Sequence, residues 1–226
     1  RSAVMKIIRT LALSLVSLLP GCLATPEVSK FDSDHWESRV ASVGLKSALR
    51  VMSDSGSAGS GFFIHPGGLA VTNAHVVSGS DGGAVQVAVG DAAGSFARYE
   101  VLARGESRDL ALLRVLVPHP VEALHLGLSA PLELGSPFLA VGGPQGMFPV
   151  VTTGVLSGRS RPGFIGATSV PEQLIHSAAT LRGSSGCPIL SDVGLVVGVQ
   201  AAQRELAGLG GRARAGRGRG WLLRTR

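Results

Sequence analysis

The sequence predicts an all-β protein, either a sandwich or a pair of barrels. Three observations predict it. Short apolar runs recur along the chain with turn residues between them. Glycine accounts for 32 of 226 residues, about twice its usual share, which favours tight turns over long helices. No long segment carries a 3.6-residue apolar period. Apolar residues make up 45% of the chain and charged residues 16%, so a real core can form and wholesale disorder is excluded. Two cysteines are too few for a disulfide framework or a cysteine-cluster metal site.

The first 21 residues predict an address rather than a fold. Arg1, Lys6 and Arg9 precede an apolar run from Leu11 to Leu19. That run is too short to span a bilayer and has the dimensions of a signal-peptide apolar region. Leu19-Pro20-Gly21-Cys22 follows and is similar to a bacterial lipoprotein processing box. Cys22 is therefore the expected lipidation site. Leu23 after it implies an outer-membrane anchor facing the periplasm; an ordinary secretory signal with a chance cysteine is the plainer alternative. Residues 22–45 are polar and mixed and predict a tether.

The strands follow in order. Ala48–Met52, Gly61–His65 and Leu69–Thr72 are apolar runs parted by Ser/Gly and Pro66-Gly67-Gly68. Ala84–Val89 alternates and stops at Gly90-Asp91; Tyr99–Ala103 and Leu110–Val115 come next. Pro118–Pro137 holds four prolines and predicts a crossover between halves. Phe138–Val141, Val150–Ser157, Gln173–Ser177, Pro188–Leu190 and Leu195–Gln200 repeat the rhythm. No internal sequence repeat accompanies it. Residues 46–202 therefore predict one β domain.

Three fragments carry chemistry: Thr72-Asn73-Ala74-His75-Val76-Val77, Ser107-Arg108-Asp109-Leu110-Ala111-Leu112-Leu113 and Gly183-Ser184-Ser185-Gly186-Cys187-Pro188. Singly, each has a plain structural explanation: a satisfied polar group, a turn or cap, and a loop. Together they stand in the chain order His, Asp, Ser, which is the order of chymotrypsin-like enzymes. They resemble the HtrA/Deg family of trypsin-fold serine proteases, whose motifs are TNxHV, DLALL and GNSGGP. Gly59-Ser60-Gly61-Phe62-Phe63-Ile64, Ala140-Val141-Gly142-Gly143-Pro144-Gln145-Gly146 and Val151-Thr152-Thr153-Gly154-Val155-Leu156-Ser157 resemble three further family segments. The resemblance runs from about Gly59 to Gln200.

It implies two antiparallel six-stranded β-barrels with the site between them. It implies Ser185 as nucleophile, His75 as its base and Asp109 as the group that orients the imidazole. The N–H groups of Gly183 and Ser185 would form the oxyanion hole. No metal or organic cofactor is called for. Ser184 stands where secreted trypsin-like enzymes carry an aspartate to pair with a newly cut N-terminus, so activation by N-terminal cleavage is not expected. Ala179 stands six residues before the nucleophile, where trypsin-type pockets carry aspartate. A buried Lys or Arg of the substrate would go unpaired there. Cleavage after small or medium apolar residues such as Val, Ala or Leu is expected, in unfolded polypeptides. The family also implies a homo-trimer.

Several features depart from the family. Leu181-Arg182 replaces Asn-Pro, and Cys187 replaces the second glycine after the nucleophile, where it reads as a small packing residue. No PDZ-length remainder follows. Residues 203–226 hold seven Arg and one Glu, while residues 22–202 are net acidic. The basic charge thus belongs to the ends, and nucleic acid is not an expected partner. The tail reads as disordered, or as the foreign ending of a frameshifted or truncated product. In the latter case the second barrel lacks its last strand and keeps an open edge. The competing functional reading is a catalytically inactive, protease-fold lipoprotein that only binds polypeptide.

Overall fold

The computed structural model describes residues 35–89, 92–129, 132–160, 163–165, 168–170, 173–201 and 217–222. The signal segment and Cys22 lie outside the described residues. Helix α1 spans Trp36–Ser47. Six strands follow: β1 (Ala48–Ser53), β2 (Ala58–His65), β3 (Leu69–Thr72), β4 (Gly82–Val89), β5 (Ala92–Gly105) and β6 (Leu110–Val115). They close into an antiparallel barrel of order β1-β2-β3-β6-β5-β4, and β1 pairs with β4 to seal it.

A second set begins at β7 (Pro137–Gly142) and β8 (Val150–Ser160), then β11 (Gln173–Ala179), β12 (Pro188–Ser191), β13 (Val196–Ala201) and β14 (Arg217–Leu222). A small hairpin, β9 (Gly163–Ile165) with β10 (Thr168–Val170), is inserted between β8 and β11. The second barrel has the order β7-β8-β11-β14-β13-β12 and closes where β12 meets β7. Leaving out the inserted hairpin, this is the connection pattern of the first barrel. The two halves share a topology without sharing a recognisable sequence. That topology needs only the strand period and the turns, not particular side chains.

Among the described residues, three clusters make the core. Leu49, Val51, Phe63, Val85, Tyr99 and Leu113 fill the first barrel. Phe138, Ala178, Ile189 and Val197 pack in the second. Between them Phe62 and Ala48 of the first barrel meet Leu139, Val141, Leu190 and Val199 of the second, with Val40 of α1 joining. This explains the continuous burial along β2, whose residues Gly59–Phe63 are all buried. Phe63 faces its own barrel while Phe62 faces the neighbour. Each fully buried Phe contributes about 1.5–3 kcal/mol.

The structure corrects two expectations. The tether predicted over 22–45 ends early, because α1 takes up its last ten residues. Val40, Gly44 and Ser47 share one face of the helix and are buried. A Cβ on Gly44 would stand 2.8 Å from Leu190 and Val141, so glycine lets the helix lie on the second barrel. Three small or β-branched positions are too faint a stripe to read as a helix. The second correction concerns the tail. Arg217–Leu222 pairs antiparallel with both β11 and β13. It fills the edge expected to be open, and these six residues form a strand rather than a disordered end. The ladder is a backbone interaction, which an Arg/Gly segment can supply without an apolar pattern.

Candidate active site

The pairing of β3 with β6 brings the first two fragments together. Thr72, the last residue of β3, lies opposite Ala111 near the start of β6. The chain leaving β3 and the chain entering β6 therefore emerge side by side. A single 3-10 turn, Ala74–Val77, follows β3 and carries His75. Val76 and Val77 of that turn are buried in the first barrel's core, which anchors it. Asp109 precedes β6 with φ of 51°, in the left-handed region that aspartate tolerates better than most residues.

The Asp109 carboxylate accepts twice from His75. The backbone N–H of His75 donates to Oδ1 at 2.9 Å, and the ring Nδ1–H donates to Oδ2 at 2.7 Å. Holding Nδ1 as a donor leaves Nε2 as the basic nitrogen. Asn73, fully buried, donates from Nδ2 to the Asp109 carbonyl at 2.8 Å. This contact is consistent with the left-handed backbone at Asp109. Asn73 belongs to the quoted fragment, but its role could not be read there, because it acts on a residue far along the chain.

The third fragment lies between β11 and β12. Ser185 is 6% exposed. Its carbonyl accepts from the N–H of Ser60 on β2, at 2.7 Å, which ties the nucleophile loop to the first barrel. Gly183 and Gly186 have φ of 95° and 91°, values that favour glycine. A Cβ on Gly183 would stand 2.5 Å from the Gly143 carbonyl oxygen. Among the described residues, neither the Gly183 N–H nor the Ser185 N–H donates a hydrogen bond, and Ser185 Oγ makes none to His75.

Ala179 lines a small cleft beside Ser184, together with Gly142, Val150, Thr152, Cys187 and Gln200. Among the described residues, none that line it carries a charge. Cys187 is buried against Gly142, where any Cβ would run into its sulfur. Burial pushes its thiol up to about 12, only partly offset by the polar neighbours Ser60 and Gly143. A thiol held neutral is a packing group rather than a nucleophile.

Comparison with known proteins shows which family the chain resembles. Residues 59–199 match the model of the trypsin-like peptidase domain. The chain is 35% identical over 146 residues to the magnetosome formation protease MamE of Paramagnetospirillum magneticum, covering 64% of this chain and 20% of that protein. It is 35% identical over 144 residues to a probable periplasmic DegP-like serine endoprotease of Bartonella henselae, covering 64% of this chain and 27% of that one. The chain thus spans only about a fifth to a quarter of the length of these relatives. A solved structure of the HtrA-type protease AlgW with a tripeptide superposes with a TM-score of 0.70 at 24% identity, covering 82% of this chain and 59% of that chain.

Proposed function

The chain belongs to the trypsin-like peptidase family, and on that premise we propose that it is a serine endopeptidase working through Ser185, His75 and Asp109. Ser185 Oγ attacks the scissile carbonyl. His75 Nε2 takes its proton and returns it to the leaving amine. Asp109 keeps Nδ1 protonated and stabilises the imidazolium. The N–H groups of Gly183 and Ser185 receive the oxyanion, each worth about 10²–10³ in rate. The observation that carries this reading is the pair of hydrogen bonds from His75 to the Asp109 carboxylate, of which the Nδ1 bond favours the tautomer the reaction needs.

The uncharged cleft around Ala179 supports cleavage after small or medium apolar residues. Such residues are exposed in unfolded polypeptides, the proposed substrate class. The periplasmic DegP-like relative supports a place in the bacterial cell envelope. Anchoring by lipid on Cys22, and assembly as a homo-trimer, belong to the same proposal.

The test is labelling with a fluorophosphonate, which needs an activated serine and a formed oxyanion hole but no known substrate. We expect the full chain to label and Ser185→Ala to lose at least 10⁴ in labelling rate. A folded chain that does not label would instead favour the inactive, polypeptide-binding reading.

A further inference from the structure

We propose that Ser60 is a positioning residue for the oxyanion site: from the first barrel, its hydroxyl and amide hold the second barrel's nucleophile loop so that the Gly183 and Ser185 N–H groups stay unpartnered. This deepens the protease reading and rests on it.

Ser60 lies on β2 with 0% exposure. A hydroxyl buried this deeply is costly unless it is bonded, and this one is bonded on both sides. Ser60 Oγ donates to the Gly183 carbonyl at 2.7 Å and accepts from the Gly143 N–H at 2.9 Å. The Ser60 N–H donates to the Ser185 carbonyl, also at 2.7 Å. The Ser60 carbonyl accepts from Thr72 Oγ1 at 2.7 Å. Thr72 is the neighbour of Asn73, which bonds the Asp109 carbonyl. One residue therefore links the strand that leads to His75 with the loop that carries Ser185.

The consequence follows from the planar trans peptide, in which C=O and N–H point opposite ways. The Gly183 N–H shares its peptide with the Arg182 carbonyl, which accepts from Gln145 N–H at 2.6 Å. The Ser185 N–H shares its peptide with the Ser184 carbonyl, which accepts from Cys187 N–H at 3.1 Å. The two peptides between and after these are held by Ser60, through the Gly183 and Ser185 carbonyls. Every carbonyl from Arg182 to Ser185 is thus occupied elsewhere, and the two N–H groups are left over. Ser60 also holds Gly143, at the head of the turn that presents Gln145. Gln145 itself has φ of 51°, and the Ser60 bond lies two residues from it.

Ser60→Ala removes only the Oγ atom. In the full chain we expect kcat on an N-acyl-valine p-nitrophenyl ester to fall about ten-fold or more. KM should stay within about two-fold, because an oxyanion contact strengthens in the transition state. The fluorophosphonate rate should fall by the same factor as kcat, and Ser60→Cys should recover part of the loss. The 15N resonance of Ser184, which shares the Gly183 carbonyl's peptide, should move in Ser60→Ala, independently of turnover. An unchanged kcat would overturn the assignment. So would a loss explained by a smaller titratable fraction of normally active enzyme, which is what mere misfolding gives. If the wild-type chain does not label at all, the protease reading fails, and the Ser184 resonance decides the Ser60 bond alone: movement upholds it and no movement overturns it.

Discussion

The two barrels share one connection pattern but contribute opposite kinds of chemistry. In each, the loop between the third and fourth strands reaches the cleft. In the first barrel that loop carries His75; in the second it carries Ser185. The first barrel adds Asp109 just before its sixth strand, and the two loops lock to each other through side chains. The corresponding stretch of the second barrel, before β14, lies outside the described residues. The second barrel's loop with Ser185 is set through its backbone carbonyls, two of them bonded to Ser60 of the first barrel. The cores differ as well. The first is sealed by Leu49, Val51, Phe63, Tyr99 and Leu113. The second admits a buried His176–Gln200 pair. The base half of the site is thus self-supporting, and the nucleophile half depends on its neighbour.

Asp109→Asn breaks the first half most directly. An amide can still accept one bond from His75, but its NH₂ faces the other donor. The imidazole then turns to the wrong tautomer. We expect kcat to fall about 10⁴-fold with little change in melting temperature. Loss of less than ten-fold, measured against the same ester, would show that the base half does not work through this pair. Gly183→Ala breaks the second half. Its Cβ meets the Gly143 oxygen and its φ is disfavoured for alanine, so the loop must move and one oxyanion donor goes with it. We expect about 10²–10³ in kcat, with Asp109–His75 geometry preserved, as the imidazole proton resonance would report.

The same contrast explains what could be read from the sequence. β3 and β6 were legible in full, since Leu69–Thr72 and Leu110–Val115 are apolar runs cut off by Gly, Asp and Pro. His75, Asp109 and Ser185 could be picked out as candidates because their motifs are local, and the fold joins the first two. β14 was not, because Arg217–Leu222 enters the barrel by backbone pairing and offers no apolar alternation. α1 was not, because its buried face is Val40, Gly44 and Ser47. Ser60 was visible inside a quoted segment, yet its role was hidden. It acts on residues 83 and 123 positions away, through bonds that only the folded chain creates.

The smallest expected effect tests whether the second barrel's polar core is a liability. His176 is 1% exposed, packs edge-on against Phe138 at 5.0 Å, and donates from Nε2 to Gln200 Oε1 at 2.6 Å. Its Nδ1 is buried without a partner. Burial lowers its pKa from the usual 6.5, against the weaker opposing pull of the Gln200 bond. The unfolded chain therefore takes up this proton before the folded one does. Stability contributed by the neutral ring is present above the unfolded pKa and is lost as pH falls through it toward the lower folded value. The loss from this residue is at most one proton's worth, about 1.4 kcal/mol per pH unit. Urea denaturation of wild type at pH 7 and pH 5 should show that drop, and His176→Gln, although less stable at pH 7, should show a shallower one. Equal slopes in the two proteins would mean that acid loosens the molecule elsewhere. The second barrel would then differ from the first in how its loop is held, and not in how its core answers to protons.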